Sequence, residues 1–459
     1  MTTTIAPGSA GLAGPAAARP VPVSSSYRFE LVKLLAQWRI RLLIAACWIV
    51  PAVGVYLVSR EQTLPADTLY GRWLHATGLA APLAALSFAG NWLLPLVTSV
   101  IAGDVFSVED RLGTWRHLLV AVRSPRRIFA AKALASLTVI AIGFPGLAVS
   151  ATAGGIAAAG LRPLTGMDGL QLTPGDALAR TALAWLCALA PTLALAAIGL
   201  LGSVSLGRSP MGLLIPAVVA LGMQLVQDLP MDAALRLALP GYVFLSWNGL
   251  FDTPEQPGMV LTGVAVSLAW AVTATVAAYL IFMRREFTGS GHDGAGRRAI
   301  TLGVLPLAGL FALSAAALAL AAPGAAGSGI DEQKVETALA TEFANLYPVQ
   351  IGEIYHQAIS KSQLGVTAVC DRGGGLIAPQ GPGDDWRCTV TWQVPDVSDA
   401  TGQAIYQLDV NPNGRFVADG DGPKEVNGYF LVHAPYGNAP NPLWQFDGNV
   451  DLLATPTKG

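Results

Sequence analysis

The sequence predicts a polytopic, all-α membrane protein with a small α+β domain at its C-terminal end. Three observations predict it. Only 13% of the 459 residues are charged, 53% are hydrophobic and the mean hydropathy is +0.49, whereas a soluble domain carries about 25% charged residues. The apolar residues gather in seven charge-free runs, 42–59, 76–103, 133–161, 181–207, 209–227, 256–283 and 299–330, and a helix needs about 20 apolar residues to cross lipid. From residue 331 onward the chain turns polar, with 16 Asp/Glu against 7 Lys/Arg, while the rest holds 14 against 21. An acidic tail and a basic apolar part belong in different surroundings.

The elements follow in order. Residues 1–23 are rich in Gly, Ala, Pro and Ser and are expected to form a disordered N-terminal tail. The first apolar run starts too far along to read as a cleaved signal peptide. Residues 24–41, SSSYRFELVKLLAQWRIR, predict an amphipathic interface helix. A serine cap precedes Phe29, Leu31, Leu34, Leu35 and Trp38 on one side, with Arg28, Lys33, Arg39 and Arg41 on the other. The runs themselves should be helices, because backbone polar groups find no water in the bilayer core. The first is weakened by Pro51 and the fifth by Pro216.

Residues 104–132, DVFSVEDRLGTWRHLLVAVRSPRRIFAAK, form the longest charged segment between two runs. Leu112, Trp115, Leu118, Leu119 and Val122 recur at helical steps, and Ser124 before Pro125 reads as a turn with a helix start. A short helix, a turn and a re-entry helix are expected. Residues 228–257 are semi-apolar, with Pro230, Pro240, Pro254 and the aromatics Tyr242, Phe244, Trp247 and Phe251, which suits re-entrant or interfacial helices. Residues 287–298 read as a flexible linker before a seventh span, 299–322. Its glycine-rich part, GSGHDGAGR, has no preceding strand and no Lys-Ser/Thr end, so it is a poor phosphate loop.

Charge then orients the chain. With the N-terminus cytoplasmic and seven spans, the inner segments hold 16 Lys/Arg and the outer loops 5, as the positive-inside rule expects. This places the protein in the plasma membrane with residues 331–459 extracytoplasmic.

The segment 104–132 carries a resemblance. Glu109, Gly113-Thr114, Leu118-Leu119, Ser124-Pro125-Arg126 and Lys132 resemble the loop between the second and third spans of ABC-2 type exporter permeases. The helix at 24–41 and the broken segment at 228–257 are similar to elements of that family as well. The resemblance covers about residues 24–286 and implies a six-span core over 42–286. It implies that 104–132 docks on a separate ABC ATPase subunit, through Glu109, Asp110, Gly113, Thr114, Leu118, Ser124 and Arg126. It also implies a second permease copy, or a related permease, as partner. ATP and Mg would sit on the ATPase, and this chain would bind no cofactor. The seventh span departs from the family and is expected to carry the tail across.

The tail predicts a helix at 331–346, a second near 349–360, and strands at 364–370, 386–394, 404–410, 415–419 and 428–433. Asn411-Pro412-Asn413-Gly414 is a hairpin signal. The last 25 residues should pack across the sheet or stay extended. Cys370 and Cys388 bracket a Gly/Pro-rich loop and are expected to pair in an oxidising exterior. The alternative, a metal pair, lacks a second Cys/His pair nearby. A net charge of −9 should hold the tail off anionic headgroups.

For function, the expectation is the permease half of an ATP-driven exporter with an unidentified cargo. The alternative is a non-transporting membrane anchor that presents the tail as a sensor or binding domain. An enzyme is not expected: the tail shows no nucleophile–base set, no metal ligands cluster, and the runs hold almost no ionisable groups. Asn91, Gln224 and Gln227 are the main polar insertions, either substrate-pathway candidates or helix–helix hydrogen-bonding groups. The formal net charge of −2 says nothing about nucleic acid, and none is expected as a partner.

Overall fold

The computed structural model describes residues 22–60, 69–165, 170–206, 211–285, 300–395, 397, 399–434 and 437–455. The N-terminal tail up to residue 21 and the expected linker at 287–298 lie outside them. In chain order the helices are α1 (Val23–Ala36), α2 (Trp38–Arg60), α3 (Leu69–Ala76), α4 (Gly78–Leu112), α5 (Trp115–Val122), α6 (Pro125–Ala159), α7 (Pro174–Leu206), α8 (Met211–Gln227), α9 (Ala233–Leu237), α10 (Val243–Ser246), α11 (Pro257–Met283), α12 (Thr301–Ala321) and α13 (Glu332–Tyr355).

Six of them, α2, α4, α6, α7, α11 and α12, are long and apolar enough to cross a membrane. The chain is a multi-pass membrane protein by this measure. The internal prolines Pro51, Pro145 and Pro191 do not end α2, α6 or α7; neighbouring helices satisfy the freed groups in lipid. Small residues let helices cross closely. A Cβ on Gly78 would lie 2.3 Å from the backbone of Gly155, so α4 and α6 meet main chain to main chain there.

The fifth apolar run is described from residue 211 onward, where it forms α8 and passes through Pro216 without ending. The chain then breaks into α9 and α10. Gln227 closes the break by donating to the carbonyl of Pro240 at 3.2 Å.

The C-terminal residues form a helix packed on an antiparallel sheet. Its strands are β3 (Thr367–Arg372), β4 (Gly383–Gln393), β5 (Thr401–Val410), β6 (Arg415–Gly422) and β9 (Gln445–Asn449), in the order β3-β4-β5-β6-β9. A two-strand ladder, β7 (Leu431–Ala434) with β8 (Gly437–Pro440), stands apart; β1 (Leu164–Thr165) and β2 (Gln171–Leu172) pair between α6 and α7. Cys370 and Cys388 are opposite one another across β3 and β4 and form a disulfide. The hairpin at Asn411–Gly414 joins β5 to β6, with Gly414 at φ 89° in the left-handed region that glycine favours. Two helices were expected before the sheet, but one continuous helix, α13, passes through Pro348. Its buried Phe343, Leu346 and Tyr347 pack on Trp392 and Tyr406, and that packing outweighs the missing N–H.

The tail domain does not stand clear of the helices. Its core, with Trp386, Tyr406, Phe416 and Phe446, is continuous with Ala233, Leu237, Tyr242 and Met259 of the bundle. The two ends of the bundle are distinct. α11 begins beside the α9–α10 break, where the tail is seated, and ends beside Asp110 at the α4–α5 turn, through Arg285.

Candidate functional site

The α4–α5–α6 corner concentrates the buried charge of the bundle. α4 ends at Leu112 because Gly113 turns left-handed at φ 64°, and α5 ends because Arg123 does the same at φ 57°. Ser124 is extended and Pro125 takes the first position of α6, where its fixed φ and missing N–H cost nothing. Two sharp turns therefore hold an eight-residue helix across the end of the bundle.

Beneath it lies a neutral ionic network. Lys132 of α6 donates to Glu109 of α4 at 2.8 Å, to Glu30 of α1 at 2.9 Å and to the carbonyl of Val105 at 3.3 Å. Lys33 of α1 and the Thr114 hydroxyl complete the shell around Glu109. Glu109 and Lys132 have side-chain exposures of 0% and 1%. Such a pair holds only while every member is partnered, because one orphaned charge in a dry site is expensive. Alongside, Asp110 accepts from the Trp115 indole N–H at 2.6 Å and pairs with Arg285, whose guanidinium lies 5.6 Å from the Trp115 ring. Phe106, Phe129 and Phe282 pack below within 5.6 Å of one another, ring centre to ring centre. Between α1 and α5 opens a cleft of about 470 Å³, lined by Ser26, Phe29, Lys33, Leu112, His117 and Leu118 among others.

The residues expected to dock are placed as follows. The carboxylate of Glu109 is buried and partnered inside the chain. Thr114, half-buried, points at Glu109, and Leu118 packs inward. Leu112, Gly113, Val120 and Arg126 are exposed at this corner, together with Arg111, Arg116, His117, Ala121 and Arg123. The interface helix also differs. Its buried residues are Ser26 and Glu30, while Phe29 is 59% exposed and Trp38, 68% exposed, starts the next helix after a break at Gln37. Leu34 is half-buried against the core.

The polar insertions in the spans fall together. A π turn, Ala89–Leu93, widens α4 around Asn91. Gln224 of α8 donates to the carbonyl of Gly90 at 3.4 Å, and Gln227 donates to Gln224 at 3.0 Å. Both glutamines are buried and bond elements together. Asn91 Oδ1 is buried and has no hydrogen-bond partner among the described residues.

At the other end, Arg236 of α9 is fully buried and donates to the carbonyls of Ser328, at 2.8 Å, and Pro412. Burial pulls its guanidinium below the ordinary value, against Tyr242 and Asp232. Asn413 donates to Leu245 O at 3.1 Å, Asn345 to Thr253 O at 2.7 Å, and Asn449 to both oxygens of Asp252 at 2.8 and 2.9 Å. Sequence reasoning missed this latch. Its one signal was a lone arginine in a semi-apolar stretch. It also missed Glu30, whose helix read as a surface element.

Among the described residues, no group of three His, Cys, Asp or Glu could hold a metal ion. No family model and no curated protein matches the chain.

Proposed function

We propose that this chain is the permease half of an ATP-driven exporter of the ABC-2 type, coupled to a separate ATPase chain. The observation that carries the reading is the α4–α5–α6 corner. It presents a short helix on a rigid ionic base, with the apolar Leu112 and Val120 left exposed at the end of the bundle with the denser Lys/Arg loops. A corner of that design suits docking into a groove of another protein, and the 16-to-5 bias of Lys/Arg supports its lying in the cytoplasm. The tail domain is then extracytoplasmic, over the outer end of the pathway. None of the 459 residues forms a GxxxxGK[ST] loop, so hydrolysis is assigned to the partner.

A pathway between two copies is favoured by α2, whose Ile49, Val50, Val53 and Leu57 are exposed. The exposed Val218 and Leu225 of α8 offer a second face for such a contact. Purification from its own membrane in mild detergent should bring down a nucleotide-hydrolysing subunit. Val120→Asp should lose that subunit without loss of membrane insertion. A chain that purifies alone, or a Val120→Asp variant that keeps its ATPase, sinks the reading. The extensive seat of the tail on the α9–α10 break favours a second reading, a non-transporting anchored sensor. It gains if no ATPase is found and a soluble partner binds the tail.

A further inference from the structure

One loop of the tail fits the lipid boundary. Residues 373–382, GGGLIAPQGP, join β3 to β4 and contain no charged residue. The root of the loop is fixed. Arg372 donates to Asp385 at 2.6 and 2.8 Å and to the carbonyl of Pro382 at 3.3 Å. Gly381 N donates to Ile330 O at 3.0 Å, and Glu332 N donates to Pro379 O at 3.1 Å. The tip is bare: residues 373–380 are all exposed, Leu376 at 91%.

Two observations locate that tip. The register puts Gly383 opposite Val410, next to the hairpin whose Pro412 and Asn413 touch Arg236 and Leu245 of the bundle. The loop therefore leaves the end of the sheet that is seated on the bundle, about 10 Å to one side at the spacing of two strands. It is also pinned to Ile330–Glu332, a short connection beyond α12. Leu320, in the last turn of α12, is 84% exposed, so the lipid-facing zone reaches almost to that connection.

We infer that Leu376 and Ile377 dip into the lipid boundary beside α12. The uncharged finger lets a domain of net charge −9 touch a bilayer without bringing its carboxylates to the headgroups, where like charge repels. The inference needs α12 to cross the membrane and is independent of transport.

The test uses the full chain in phospholipid nanodiscs with a benzophenone amino acid at position 376 or, separately, at Val369. Val369 is also exposed but lies in the middle of β3. After illumination, mass spectrometry should find lipid adducts at 376 in excess of those at 369 by about tenfold, the contrast expected for a leucine-sized apolar group partitioning into lipid. Equal lipid yields at the two positions, protein–protein adducts from 376, or no adduct from 376 would overturn it. Both side chains are exposed from the chain, so neither label disturbs the fold.

Discussion

Lys132 sits between two carboxylates and a carbonyl with almost no contact with solvent. Removing it strands Glu30 and leaves Glu109 with only Lys33 and Thr114 in a dry site. Lys132→Met should therefore cost about 3–5 kcal/mol, read as a fall in the thermal midpoint in detergent. Adding Glu30→Gln and Glu109→Gln should return much of the loss, since neutral amides tolerate burial better than orphaned charge. A single Lys132→Met variant as stable as the parent would contradict the network. Gly113 offers a cleaner backbone test. Its φ is 64° and an added Cβ would meet nothing within 4 Å, so Gly113→Ala isolates the conformational penalty, about 1–2 kcal/mol. At this scale the sequence was half legible. Glu109 and Lys132 stood out as charges beside apolar runs. Their direct partnership did not, because residues on separate helices meet only through packing that no local pattern encodes.

Among the elements, long apolar periodicity survived best. Among the described residues, six of the seven runs are helices of spanning length, since lipid leaves the backbone no other option. The end of the fifth is tied by Gln224 and Gln227 to the π turn of α4 and to Pro240. Turn chemistry was legible as well: Ser124-Pro125 starts α6, and Asn411–Gly414 closes a hairpin. The fusion of two expected helices into α13 was not, because the aromatic contacts of Tyr347 lie in strands far along the chain. The sheet supplies its own test. Cys370→Ser with Cys388→Ser should weaken the tail by about 3 kcal/mol, seen as faster hydrogen exchange in β3 and β4 with the long helices unchanged. Exchange that stays the same would mean that the strand pairing alone holds that edge. Arg236→Met should act at the join. With two carbonyls left unpaired at the seat, limited proteolysis should release residues 331–459 while α11 stays protected.

For the whole molecule, the corner at α5 and the seat of the tail lie at opposite ends of the same helices. His117→Cys and Val369→Cys variants should accordingly react with a membrane-impermeant thiol reagent from opposite faces of sealed vesicles. Labelling of both from one face would refute the arrangement. The shared core at the seat has a consequence for how the protein is made. Ala233, Leu237 and Tyr242 leave the ribosome long before the strands that cover them, and they complete an interior the last third of the chain cannot finish by itself. A nascent chain whose final span threaded the wrong way would keep the two halves apart, each with a raw greasy face and Arg236 unmet. Folding would thus proofread threading, because a misthreaded chain would leave this shared interior open.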